Sequence, residues 1–104
     1  DNNSISMLDH TDNIISHSNL VDRLTSFGWS CVEVDGHDIA EVQQEILEQK
    51  NTTNGKPKAI IAKTLKGHGV PGLENASLSH IMNPKTELID QLLENLNDSL
   101  LGGR

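Results

Sequence analysis

Aromatic side chains are almost missing from this chain: Phe27 and Trp29 are the only two in 104 residues, and there is no tyrosine. Aromatics carry much of the buried area of small cores. With an apolar fraction of 35%, a large self-sufficient core is not expected. A single cysteine, Cys31, excludes an intramolecular disulfide framework and suits a reducing, cytoplasmic compartment. Positive charge is also scarce. Eight Lys and Arg face fifteen Asp and Glu, for a net charge of −7. Apart from Lys56, Lys58, Lys63 and Lys66 the cations are scattered, so no nucleic-acid partner is expected, because phosphate neutralisation needs clustered cations. No apolar run approaches the roughly 20 residues that cross a bilayer. The first twenty residues are polar and lack a signal-peptide pattern. The composition therefore predicts a soluble cytoplasmic chain without membrane contact, either one small domain or a piece of a larger one.

What is present alternates between helix and strand patterns. The opening "DNNSISMLDHTDN" has no periodicity and reads as a loop or short extended segment. "SHSNLVDRLTSFG" predicts a short helix with Leu20, Leu24 and Phe27 on one face, a serine or asparagine cap, and Gly28 just past its end. "SCVEV" (30–34) predicts a strand and "DGHD" a turn, with Asp38 capping the next helix and Glu41 placed almost as in a capping box. That helix runs to about Gln49 and is expected to bury Ile39, Val42, Ile46 and Leu47. "KAIIAKT" (58–64) is continuously apolar enough for a strand inside a sheet covered on both faces. Asn83 and Pro84 announce a last helix with Leu88, Ile89, Leu92, Leu93 and Leu96 at helical spacing, and "LGGR" frays from its end. The fold expected is α/β, part of a doubly wound, mostly parallel sheet that is incomplete at its amino end.

"GHGVPG" (67–72) fits the G-x-G-x-x-G spacing of dinucleotide-binding turns. The following "VPGLENASLSH" lacks the apolar stripe of the helix such a turn must open, so a dinucleotide loop is excluded. In open α/β sheets ligands sit beyond the carboxyl ends of strands. Three segments fall there: "DNNSIS", "DGHD" and "KTLKGHGVPGLENASLSH". The first supplies hard oxygen donors (Asp1, Asn2, Asn3 and backbone carbonyls) suited to Mg²⁺ or Ca²⁺, or else it is an Asx-rich turn with no ion. The third sets Lys66, His68 and His80 near flexible backbone N–H groups, a natural place for phosphate, or it is a solvated loop. The five histidines lack zinc-like spacing. Cys31 lies mid-strand and reads as packing. Glu87, Asp90 and Glu94 read as a solvated helix face.

"FGWSCVEVDGHDIAEVQQEI" followed by "GKPKAIIAKTLKGHGVPGLENASLSH" resembles the carboxyl half of the thiamin-diphosphate-binding domain of transketolases, in particular the form in which that domain is a separate amino-terminal subunit. The similar blocks run FGW, strand, DGHD, acidic helix, KP, a strand ending in AKT, K-G-x-G-V, and a histidine. On this resemblance residues 1–104 form the carboxyl-terminal portion of such a domain. It implies that Asn3 gives a side-chain oxygen, and Ile5 a backbone carbonyl, to a Mg²⁺ or Ca²⁺ ion bridging the diphosphate. It further implies that Ile5 and Met7 border the cofactor, and that Lys66 and His80 stand beside cofactor and donor substrate. Ser79 and Ile81 flank His80 where the family commonly has Trp and Gly, and position 9 is Asp where many relatives have Gly. The implied enzyme moves a two-carbon ketol unit between small molecules. Its needs are the upstream part of the thiamin-diphosphate domain, a pyrimidine-binding domain or subunit, and an oligomeric assembly. Two other readings are a component resembling the decarboxylating subunit of 2-oxoacid dehydrogenases, which passes its two-carbon unit to a carrier protein, and a non-catalytic α/β module that supports a partner.

Overall fold

The computed structural model of the protein describes residues 1–76 and 79–102. They divide into two compact units: Asp1–Ser4 with Thr11–Thr64, and Ile5–His10 with Leu65 onward. The first unit contains α1 (Thr11–Ile14), α2 (Leu20–Ser26), β1 (Ser30–Asp35), α3 (Ile39–Asn51) and β2 (Lys58–Lys63). The second contains α4 (Thr86–Gly102).

β1 and β2 pair in parallel from Ser30 opposite Lys58 to Asp35 opposite Lys63. On the other edge of β2, Asn2 forms a parallel bridge to Lys63. β2 is thus the inner strand, as its continuous apolar run predicts. Alternation puts Ser30, Val32 and Val34 on one face of β1 and Cys31, Glu33 and Asp35 on the other. Ser30 Oγ lies 3.4 Å from Gln49 Oε1, so α3 covers the first face. Glu33 lines a polar hollow of about 420 Å³ with Leu20 and Asp22, so the start of α2 lies over the second. Helices on both faces of a parallel sheet make the α/β, doubly wound arrangement that the sequence pattern predicts.

The helices are bounded by local chemistry. α2 ends in a Schellman motif: the Trp29 N–H donates to the Leu24 carbonyl (3.0 Å) and the Gly28 N–H to the Thr25 carbonyl (2.9 Å). Gly28 reaches φ +90°, which explains the glycine. α2 begins only at Leu20, after Asn19, whose side chain makes no capping bond and whose backbone is left-handed. At α3, Asp38 Oδ1 accepts from the N–H groups of Ala40 (2.9 Å) and Glu41 (3.1 Å). Glu41 does not close a capping box: its carboxylate accepts the Asp35 N–H at 3.3 Å instead, which ties the turn to β1.

Four expectations need correction. Part of the opening loop is helical, since the Thr11 carbonyl accepts the Ile15 N–H (2.8 Å) and closes α1, a turn too short to show an apolar stripe. α4 starts at Thr86, not Pro84, and the Lys85 carbonyl accepts the first helical N–H groups. This start keeps the Lys85 charge out of the first turn and leaves Glu87 in it, the order the helix dipole favours. At the far end Leu101 and Gly102 remain helical, and Gly103 and Arg104 lie outside the described residues, as do Ser77 and Leu78 of the long loop. The expected burial along α3 is not observed. Val42 is half-buried, but Ile39 is 83% exposed and Ile46 and Leu47 are about half exposed, because Val42, Glu45 and Gln49 turn toward a sheet too narrow to cover the whole stripe. Phe27 is likewise exposed, and Val34 is the one buried apolar residue among those described.

Two measurements check this packing. A Cβ at Gly36 would lie 2.4 Å from Thr64 Cγ2 and 2.8 Å from the Lys63 carbonyl oxygen. Gly36→Ala is therefore expected to lower the stability of the folded protein by about 1–3 kcal/mol in urea denaturation, the usual cost of overpacking. Burial, reinforced by Glu33, pushes the Cys31 thiol above its ordinary range. The folded state then holds that proton more tightly than the unfolded chain. Its stabilising contribution is complete below the ordinary thiol pKa and is lost as pH rises through the raised value. Iodoacetamide should accordingly modify Cys31 more slowly than a cysteine peptide at mildly alkaline pH.

Candidate functional site

In the first unit the chain segments converge at the carboxyl ends of the strands. The Asn2 N–H donates to the Ala62 carbonyl (2.8 Å), and the Thr64 N–H to the Asn2 carbonyl (3.4 Å). These bonds lay Asp1–Asn3 alongside the end of β2. The Thr64 hydroxyl donates to one oxygen of the Asp1 carboxylate. The Asn3 amide nitrogen donates to the other at 2.9 Å. Ser4 then takes a left-handed backbone, φ +61°, which turns the chain immediately after Asn3. From the β1 side, the Gly36 N–H donates to the Lys63 carbonyl at 2.7 Å. A hollow of about 470 Å³ opens here, lined by Glu33, Val34, Asp35, Glu41, Lys63 and Thr64. Lys63 Nζ stands 3.5 Å from Glu33 Oε1, with both side chains exposed.

This edge is where a parallel sheet binds ligands. Among the described residues no group of three or more His, Cys, Asp or Glu is placed to hold a metal. The donors in the stretch are of another kind: the half-buried Asn3 amide and the backbone carbonyls that follow it. An amide and a carbonyl suit a hard cation such as Mg²⁺, which is commonly held by few protein oxygens with the rest of its shell supplied by phosphate and water. The residues fit such an ion.

In the second unit Ile5 forms an antiparallel bridge with His10, and the Ser6 N–H donates to the Asp9 carbonyl (2.8 Å). Ile5 is half-buried in this turn, while Met7 at its tip is 54% exposed. The glycine loop is a stack of tight turns. His68 donates its N–H to the Leu65 carbonyl, Val70 to that of Gly67, and Asn75 to that of Lys66 at 2.8 Å. Gly67 has φ +77°, and a Cβ there would sit 2.5 Å from the Leu73 carbonyl oxygen, so only glycine fits. The Gly69 N–H donates to Glu74 Oε1 at 2.9 Å, and His68 Nδ1 stands 3.5 Å from the same oxygen.

The loop amides expected to be open for phosphate are therefore used internally by His68, Gly69 and Val70. The chemistry this loop can offer lies in side chains. Lys66 is half-buried, and His80 is exposed on a turn beyond the loop. Among the described residues, neither makes a side-chain hydrogen bond or ion pair with another residue. Reading the sequence missed two anchors, Thr64 and Glu74. The first was visible only as the last letter of a strand, and the second as one acid in a polar stretch.

Residues 1–97 match the family described as transketolase, thiamine diphosphate binding domain. Transketolase-like protein 2 of Homo sapiens is 38% identical over 72 residues, covering 66% of this chain and 11% of that protein. The bovine (Bos taurus) protein of the same name is 35% identical over 82 residues, covering 79% of this chain and 13% of that protein. Transketolase of Rattus norvegicus is 32% identical over 74 residues, covering 71% and 11% respectively. The chain thus spans about an eighth of the length of the curated relatives it matches.

The Glu74 anchor has a direct readout in amide exchange. A hydrogen bond to a charged group contributes about 1.5–3 kcal/mol before solvent screening. Glu74→Ala should speed exchange at the Gly69 amide by at least about threefold, whereas His68→Ala should leave it protected, since the 2.9 Å bond does not involve the imidazole. Unchanged Gly69 exchange in Glu74→Ala would show that the turns alone hold the loop.

Proposed function

The chain belongs to the transketolase thiamine-diphosphate-binding-domain family, and from that premise we propose that it is part of an enzyme transferring a two-carbon ketol unit. The observation that carries the reading is Asn3, an amide held at the carboxyl edge of a parallel sheet, in the stretch where the family resemblance expects the ion. Asn3 Oδ1 and the Ile5 carbonyl would be the oxygens of this chain that hold Mg²⁺, which would supply positive charge for a bound diphosphate. Thiamine diphosphate, when bound, supplies the carbon nucleophile that carries the two-carbon unit.

The remaining steps belong to side chains of this chain. Ile5 and Met7 present apolar surface to the cofactor and keep water from the reacting face. The Lys66 ammonium adds positive charge for the diphosphate and for substrate oxygens. His80 donates a hydrogen bond to the substrate oxygen on which negative charge develops, a contribution made mainly in the transition state. The upstream half of the metal site and a pyrimidine-binding domain come from the rest of the assembly, which works in the cytoplasm as an oligomer. The substrates are small molecules.

The test separates binding from turnover in the assembled enzyme. His80→Ala should lower kcat about 100-fold, the usual loss for a transition-state hydrogen-bond donor, with cofactor affinity unchanged. Lys66→Ala should reduce both kcat and cofactor affinity, because its charge acts in the ground state too. A His80→Ala enzyme with full turnover would remove His80 from the reaction. Transfer of the two-carbon unit only to a protein carrier would replace the transketolase reading with the 2-oxoacid dehydrogenase one.

A further inference from the structure

We propose that Thr64 and Asp1 are positioning residues for the ion site, forming a relay that fixes which way the Asn3 amide faces. The proposal rests on the reading above that Asn3 ligates the ion. An asparagine amide has two nearly isosteric ends, and its terminal torsion is broad and roughly two-fold. Turned one way it offers an oxygen to a cation. Turned the other way it offers an NH₂ group that repels one. The backbone of Asn3 alone therefore does not make a ligand.

The hydrogen bonds around Asn3 supply the missing constraint. The Asn3 nitrogen donates to Asp1 Oδ2 at 2.9 Å, which directs the amide oxygen to the opposite side. A carboxylate holding one donor can still rotate. The Thr64 hydroxyl takes the second oxygen, Oδ1, and removes that freedom. Thr64 is itself fixed by the sheet, through its N–H to the Asn2 carbonyl and through the adjoining Lys63 carbonyl, which receives the Gly36 N–H. Its methyl group fills the space that a side chain at Gly36 would occupy. Both oxygens of Asp1 thus accept from protein donors, so its carboxylate serves as a bracket for Asn3. The order of control is Gly36, Thr64, Asp1, Asn3, and it crosses all three parallel segments of the first unit.

A competing explanation is plain electrostatics, in which Asp1 only attracts the cation. Thr64 separates the two, because removing its hydroxyl leaves every charge in place. Partners that orient a ligand typically change metal affinity about 10- to 100-fold when lost. In the assembled enzyme with thiamine diphosphate present, Mn²⁺ affinity is to be measured by electron paramagnetic resonance of the free ion. Thr64→Val should weaken it about tenfold, and Thr64→Ser should restore it to within about threefold. Asp1→Asn, an exposed and nearly isosteric change, should also weaken it. The double variant Asp1→Asn/Thr64→Val should be little worse than the weaker single one, the non-additivity of a shared network. Wild-type Mn²⁺ affinity in Thr64→Val beside a clear loss in Asn3→Leu would overturn the relay and leave Asn3 as a ligand. Wild-type affinity in Asn3→Leu would overturn the ion reading and the relay with it. A Thr64→Ser as weak as Thr64→Val would also overturn the relay, since the hydroxyl would then not be the group that acts.

Discussion

The first unit depends on β2 being hydrogen-bonded along both edges. On one side it holds β1 in parallel register from Ser30 opposite Lys58 to Asp35 opposite Lys63, and on the other it holds Asn2 at Lys63. Parallel pairing is what brings all three segments to end at the same edge. The connection through α3 is long enough to return the chain in that direction, as parallel neighbours require. Place any of these segments antiparallel and Asp1, Gly36 and Thr64 would no longer meet. The site is therefore a consequence of strand direction before it is a consequence of any side chain.

Side-chain packing contributes less than usual to fixing these elements. Val34 is the one buried apolar residue among those described, and the stripes of α3 and α4 are largely exposed. The boundaries are set instead by bonds made within a few residues. The Gly28 Schellman turn stops α2, Asp38 starts α3, and left-handed glycines at 67, 69 and 72 fold the loop. Each of these is a short-range device whose residue requirement is strict. A backbone at φ +77° whose Cβ would strike the Leu73 carbonyl accepts glycine alone.

That division explains what could be read from the sequence. Strict local requirements leave visible letters: Gly28 after α2, Asp38 before α3, and the unbroken apolar run that marks β2 as inner. The doubly wound pattern and the loop carrying Asn3 followed from such letters and from block order. Burial along α3 did not follow, because periodicity shows that Ile39 and Ile46 share a stripe but not that the sheet is wide enough to cover it. The late start of α4 shows in its bonds, the first helical N–H groups reaching the Lys85 carbonyl and not that of Pro84. The capping-box signature at Glu41 gave the right residue with the wrong partner, since the Asp35 N–H lies within its reach too. Thr64 and Glu74 were least legible. Their roles depend on partners 63 residues and 5 residues away, and only the folded chain brings those together.

The charge around the strand ends bears on the proposed reading, in which a cation would have to precede an anion. The hollow at that edge is lined by Glu33, Asp35 and Glu41, with Asp1 bound to Thr64 beside it, and its one lining cation, Lys63, lies against Glu33. At separations below the Debye length of about 8 Å, such carboxylates repel a diphosphate with little screening. Within the second unit, the glycine loop's amides of His68, Gly69 and Val70 are spent on internal turns. A divalent ion changes the sign of the local field. It would be attracted by the same carboxylates that would reject a diphosphate, and if held by neutral oxygens it would retain most of its charge for the anion. Neutral ligands such as an asparagine amide and a backbone carbonyl suit that purpose better than carboxylates, which would cancel the ion before the diphosphate arrived. On the proposed reading the acidic rim and the Asn3 amide would be complementary: the rim would draw an ion in, and the amide would hold it without neutralising it.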